Sequence, residues 1–207
     1  MSLQGKVFVV DDEPDLRRAL ERLLRAEGLA VECFGSAADF LARPPGDEPA
    51  CLLLDVAMPG LDGLALQQRL NDLDRPLPIV FLTGQGDIPM SVQAMKAGAT
   101  DFLTKPAGRD ALLRAIRAAL ERAGRERTEQ AAREDARARV ARLTPREREV
   151  LSHVVMGKLN KHIAAELGTT EQTVKVHRGR VMDKLGVRSV LDLARIAQLA
   201  GLPAPAP

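Results

Sequence analysis

The chain has no tryptophan and no tyrosine, and its only aromatic side chains are five phenylalanines. Any core must therefore be built almost wholly from aliphatic residues. It has two cysteines, Cys33 and Cys51. Both fall in predicted strands, which favours buried thiols over a disulfide or a metal site. No apolar run approaches the roughly 18 residues that a membrane span requires, and the amino terminus lacks a signal-peptide pattern. A cytoplasmic protein without a membrane partner is expected. The three histidines, His153, His162 and His177, have neither metal-ligand spacing nor a phosphorelay context. Core or edge packing is expected for each.

What is present is 45% hydrophobic residues with both charge signs interspersed, over 207 residues. That is a globular composition, long enough for one large domain or two modest ones. The net charge of +2 hides an asymmetry. Residues 1–123 carry 14 basic and 18 acidic side chains, 124–142 carry 6 and 4, and 143–207 carry 10 and 6. An acidic front and a basic back point to nucleic acid as a partner of the back half only.

The front alternates strand and helix patterns. Strands are predicted over Lys6–Val10, Ala30–Phe34, Cys51–Leu54, Ile79–Thr83 and Ala99–Leu103. Helices are predicted from Pro14 to Gly28, Ser36–Leu41, Asp62–Asn71, Ile88–Ala97 and Arg109–Ala123. Such alternation implies a parallel sheet covered on both faces. Parallel strands bring their carboxyl ends to one rim, so Asp11, Asp12, Asp55, Thr83 and Lys105 should meet there. Taken singly, each aspartate could merely cap a helix. Together, three carboxylates call for a compensating cation, and Mg²⁺ fits because the loops offer only oxygen donors. A carboxylate beside Mg²⁺ and a lysine is equipped to accept a phosphoryl group. The glycines of Thr83-Gly84-Gln85-Gly86-Asp87-Ile88-Pro89 match no nucleotide fingerprint.

The ordered set Val10-Asp11-Asp12-Glu13-Pro14, Leu54-Asp55-Val56-Ala57-Met58-Pro59-Gly60, Phe81-Leu82-Thr83-Gly84 and Leu103-Thr104-Lys105-Pro106 resembles a CheY-like receiver domain over residues 1–123. The resemblance implies a doubly wound five-stranded sheet in the order 2-1-3-4-5, with Asp55 as phosphoacceptor. It implies Mg²⁺ held by Asp11, Asp12, Asp55 and the backbone carbonyl of Ala57. It gives Thr83 and Lys105 the phosphoryl oxygens and makes Phe102 an aromatic that turns inward on activation. Dimer contacts would lie on 88–97 and the last strand, with Met90, Lys96 and Asp101. Ala107 departs from the Phe that receivers often carry after the Lys-Pro pair.

Residues 124–142 are rich in Ala, Arg, Glu and Gln, which predicts a solvated helical linker, interrupted or weakened at Gly124; a flexible linker is the alternative. Beyond it, Thr144, Pro145 and Glu147 form a helix start with capping-box spacing. Further helices are predicted over Asn160–Leu167, Glu171–Leu185 and from Ser189 to about Ala200, an all-α unit containing a helix-turn-helix. In the third, Val174, Val181 and Leu185 should face inward and Lys175, Val176, Gly179, Arg180 and Asp183 outward. The tail from about 203 is expected to be disordered.

The runs Leu143-Thr144-Pro145-Arg146-Glu147-Arg148-Glu149-Val150-Leu151, Asn160-Lys161-His162-Ile163-Ala164-Ala165-Glu166-Leu167-Gly168 and Thr173-Val174-Lys175-Val176-His177-Arg178 resemble the LuxR-type DNA-binding domain, here over 143–207. The resemblance makes Lys175, Val176 and Arg180 base or groove contacts and places Lys161 and Arg178 nearer the DNA backbone. Gly179 departs from the polar or larger residue usual at its position, and so removes a possible base contact. The whole resembles a NarL/FixJ response regulator: a sensor histidine kinase phosphorylates Asp55, a homodimer forms, promoter DNA is bound, and RNA polymerase is a further partner that the resemblance admits. Two other readings stand beside it. One is a Mg²⁺-dependent aspartyl-phosphate phosphatase, disfavoured because Ala57 stands where such enzymes need a second carboxylate. The other is a receiver with a non-DNA-binding interaction module acting as a phosphate sink.

Overall fold

A computed structural model describes residues 5–44, 46, 48–73, 77–84 and 88–202. The tail from 203 and residues 85–87 of the glycine-containing segment lie outside these. The chain forms two compact units, Met1–Arg127 and Thr128–Pro207.

In the first unit, strands β1 (Lys6–Val10), β2 (Ala30–Phe34), β3 (Ala50–Leu54), β4 (Ile79–Thr83) and β5 (Asp101–Thr104) form one parallel sheet ordered β2-β1-β3-β4-β5. This is the expected doubly wound fold. Helices α1 (Pro14–Ala26), α2 (Ala37–Ala42), α3 (Gly63–Asp72), α4 (Ile88–Lys96) and α5 (Arg109–Ala141) follow the strands in turn. Alternation along β1 divides the core. Val7 and Val9 pack with Leu20 and Leu24 of α1 and Leu112 and Ile116 of α5. Phe8 and Val10 pack with Phe40 of α2, Leu66 and Leu70 of α3 and Ala94 of α4. All five residues of β3 are buried, and each leucine there contributes on the order of 2 kcal/mol by leaving water. Cys51 is buried and its thiol is pushed up to about 12, whereas Cys33 is half-buried; both are free.

Polar side chains fix the helix ends. Ser36 caps α2 and Asp62 caps α3, each accepting a backbone N–H three residues on. The carboxyl end of α4 is held by three donors from its neighbours. Gln67, buried on α3, donates to the Ala94 carbonyl at 3.2 Å. Asn71, one turn further along, donates to the Ala97 carbonyl at 3.2 Å. Arg122 of α5 donates to the Gly98 carbonyl at 3.0 Å.

Two expectations need correction. The last strand begins at Asp101 instead of Ala99, because the Ala99 N–H still serves the Ala94 carbonyl at the end of α4. Gly124 does not interrupt a helix: α5 runs unbroken to Ala141, and the Arg122–Glu126 ion pair at 2.7 Å spans the glycine. The stretch after it is not wholly solvated either, since Ala136 and Val140 are buried.

In the second unit, α6 (Pro145–Val155), α7 (Asn160–Glu166), α8 (Glu171–Leu185) and α9 (Val190–Leu199) close over a core that contains Val140, Leu151, Ile163, Val174, Val181 and Leu185. The predicted capping box is formed: Glu147 N–H donates to Thr144 Oγ1 at 3.3 Å and Thr144 N–H donates to Glu147 Oε2 at 2.8 Å. The same buried carboxylate accepts from Lys184 Nζ of α8 at 2.7 Å. The bond from Lys184, aided by the backbone N–H of Thr144, pulls the Glu147 carboxyl down to about 2.

A depressed folded-state pKa contributes stability above the ordinary glutamate value and loses it as pH falls toward 2. Between pH 5 and pH 3, helical-unit stability, followed by urea unfolding of the full chain, is therefore expected to fall more steeply in wild type than in Glu147→Gln. Equal slopes would show that this carboxylate is not what ties α6 to α8.

Candidate functional site

Each residue of the rim reaches it because its strand ends there. Asp11 directly follows β1 and Asp55 directly follows β3; they are 2% and 4% exposed. Thr83 is the last residue of β4 and is fully buried. Lys105 follows β5, and its backbone N–H donates to the Thr83 carbonyl at 2.7 Å. The Lys105–Pro106 peptide bond is cis.

The side chains converge as the pattern predicts. Carboxylate oxygens of Asp11, Asp12 and Asp55 lie within 4.8 Å of one another. Lys105 Nζ donates to Asp11 Oδ2 and to Asp55 Oδ2, both at 2.8 Å. The Ala57 N–H donates to Asp55 Oδ1 at 3.2 Å. Burial pushes the Asp11 carboxyl above its ordinary value and outweighs the opposing pull of Lys105 and the Glu13 N–H. Burial also acts to lower the Lys105 ammonium, but its bonds to Asp11, Asp55 and Glu13 outweigh it, so lysine stays charged. One ammonium is thus shared among several carboxylates, and the cluster is short of positive charge. Hard oxygen donors at this spacing fit a hard divalent cation such as Mg²⁺.

Phe102 on β5 is half-buried, with its ring 6.0 Å from that of Phe81. Ala107 packs against the cluster beneath α1 and α5.

Three further residues belong to the rim. Glu13 accepts from Lys105 Nζ at 3.1 Å, and its own N–H donates to Asp11 Oδ1 at 2.8 Å. Arg17 donates to the Asp11 carbonyl at 2.5 Å. Gly63, the first residue of α3, passes so close to the end of β3 that an added Cβ would lie 2.3 Å from the Asp55 carbonyl oxygen and 2.9 Å from Val56 Cα. A glycine in the first turn of a helix is a poor helix former, and that mismatch was the available signal.

In the second unit, Lys175, Val176 and Arg180 are exposed on α8, opposite buried Val174, Val181 and Leu185. Lys161 is exposed on α7. Arg178 is half-buried and donates to Asn160 Oδ1 of α7 at 2.6 Å, which fixes one helix of the pair against the other. Among the histidines, His153 lies 3.4 Å from Glu166 and His162 is exposed.

Comparison with known proteins places both units. Residues 7–117 match the response regulator receiver domain, and residues 141–197 match the bacterial regulatory proteins of the luxR family. The chain is 46% identical to nodulation protein W of Bradyrhizobium diazoefficiens over 98% of its own length and 89% of that protein's. It is 41% identical to the transcriptional regulatory protein FixJ of the same organism over 98% of each chain. It is 44% identical to the response regulator protein TodT of Pseudomonas putida over 93% of its own length and 85% of TodT's. The solved structure of the response regulator StyR shares 44% identity with a TM-score of 0.82, over 93% of this chain and 98% of that one. Two modules in this order, an acidic rim ending in a Lys-Pro pair and a helix-turn-helix with an exposed basic face make one description: the chain belongs to the NarL/FixJ family of two-component response regulators, a receiver joined to a LuxR-type DNA-binding domain.

Proposed function

We propose that phosphorylation of Asp55 controls dimerisation and sequence-specific binding of α8 to promoter DNA, and that a sensor histidine kinase is the donor. The observation that carries this reading is the position of Lys105 Nζ, 2.8 Å from both Asp11 and Asp55. The ammonium stands where the charge of an incoming phosphoryl group must be met. The Asp55 carboxylate oxygen bonds to phosphorus as the donor's phosphorus–nitrogen bond breaks, and that electron pair leaves with the imidazole. Lys105 then exchanges carboxylate for phosphoryl oxygen, and Thr83 offers its hydroxyl from the adjoining strand. Phe102, beside Phe81, is the ring able to follow Thr83 inward. Asp11, Asp12, Asp55 and the Ala57 carbonyl would hold Mg²⁺, which supplies charge neutralisation when bound.

In DNA, Lys175, Val176 and Arg180 would meet the major groove, with Lys161 and Arg178 toward the phosphates. The domain division follows the same logic, a receiver over 1–123, a helical linker over 124–142 and a DNA-binding unit over 143–207. The partners are a kinase, promoter DNA, a second copy of the chain and RNA polymerase, and the compartment is the cytoplasm. A phosphatase reading is not favoured. Two residues after Asp55 stands Ala57, which has no side-chain acid or base to release the phosphoryl group.

The test is uptake of phosphate from acetyl phosphate with Mg²⁺. Wild type is expected to form an acyl phosphate and Asp55→Asn none; equal uptake by both would remove Asp55 from the mechanism.

A further inference from the structure

The outward face of α8 is bare at its centre. At about 100° per residue, Gly179 lies about 140° round the helix from the line of Val174, Val181 and Leu185, all buried. Val176 and Asp183 lie about one turn to either side along the same stripe, and Lys175 and Arg180 flank it.

Among the described residues nothing requires glycine there. A Cβ added at Gly179 would meet no atom of the described residues within 4 Å, and the backbone is not in the left-handed region. An interior helical glycine nevertheless costs stability relative to alanine. A partner that approaches this face closely would offset that cost. Val176, one turn away, is 44% exposed, so the stripe offers an apolar notch between two cations.

We propose that Gly179 is a specificity-determining residue: its missing side chain lets the α8 backbone settle against the floor of the major groove, and the Gly179–Val176 notch seats the C5-methyl group of a thymine. The proposal rests on the reading that α8 binds DNA. Thymine is the base that presents a methyl in that groove, and a notch with no polar atom of its own suits a methyl better than an amino or carbonyl edge. Lys175 and Arg180, on either side, keep the helix centred by reaching phosphates or guanine edges. A side chain at position 179 would lift the helix at the middle of its contact and weaken both flanking cations together.

The experiment uses full-length protein with beryllofluoride, duplexes selected from a random pool by wild type, and the variants Gly179→Ala, Gly179→Leu and Lys175→Ala. Both Gly179 replacements are expected to slow hydrogen exchange of the α8 amides, because alanine and leucine are better helix formers. Gly179→Leu is nevertheless expected to bind the selected site about tenfold or more weakly, with Gly179→Ala between it and wild type. Exchanging the contacted thymine for deoxyuridine, which removes only the methyl, should cost wild type about fourfold and Gly179→Leu nothing. If Gly179→Leu binds as wild type does while Lys175→Ala is weakened, the notch is wrong and the DNA-binding face stands. If all three variants bind like wild type, or no duplex is selected, the face itself is wrong and the notch falls with it.

Discussion

Gly63→Ala is expected to destabilise the receiver by about 2 kcal/mol and to slow phosphorylation of Asp55 about 100-fold. The new methyl would sit 2.3 Å from the Asp55 carbonyl oxygen, 2.9 Å from Val56 Cα and 3.1 Å from the Asp55 carbonyl carbon. All three are backbone atoms, so no side chain can swing aside to make room. Alanine's helix propensity favours the substitution by about 1 kcal/mol, and overpacking against backbone opposes it by more. Either the end of β3 or the start of α3 must move. The Gly63 N–H bond to the Val56 carbonyl, 3.0 Å long, would stretch with it. Asp55 is part of the moving backbone, and a displacement of about 1 Å at a reacting group costs about 100-fold in rate. Urea unfolding and the rate of acyl-phosphate formation measure the two effects. A variant as stable and as quickly phosphorylated as wild type would mean that the close approach relaxes without cost.

Lys105→Ala is expected to lose about 3 kcal/mol of receiver stability in the presence of EDTA, because it leaves buried carboxylates without their cation. Asp11 is the sharper case, since burial already raises its pKa with the lysine in place. Mg²⁺ should restore much of the loss, and the variant should bind the ion about tenfold more tightly than wild type, as no ammonium competes for Asp11 and Asp55. In wild type the lysine holds both of those oxygens at 2.8 Å, so an ion bound there shares the two carboxylates with the ammonium and meets its repulsion. Thermal unfolding at several Mg²⁺ concentrations reads both quantities. Equal stability of the two proteins in EDTA would show that Lys105 does not balance the pocket.

Much of the fold and the rim was legible because strand ends are strongly marked. The buried run before Asp55, with Pro-Gly beyond it, permits little besides a central strand opening into a loop. Once the strands are parallel, Asp11, Asp55, Thr83 and Lys105 must share a rim. Glu13 was harder to assign, because its role depends on Lys105, 92 residues away. Gly63 was hidden for a similar reason: it stands where a helix begins, and the backbone it must avoid is that of Asp55 and Val56, just beyond β3. Gly124 misled in the other direction. A single glycine costs a helix about 1 kcal/mol, and the ion pair across it and the good helix formers around it outweigh that. The late burial of Ala136 and Val140 rests on only two apolar residues one turn apart, too short a pattern to announce a buried face.

The hold on α4 has a mechanical consequence. Gln67, Asn71 and Arg122 grip the carboxyl end of α4, while Ile88 at its other end is 79% exposed. Sliding of α4 along its axis would break all three bonds, whereas a tilt about its carboxyl end would keep them. If phosphorylation at the rim draws on Thr83, the end of α4 at Ile88, opposite the three bonds, is the end expected to move more, and the bonded end to act as its pivot.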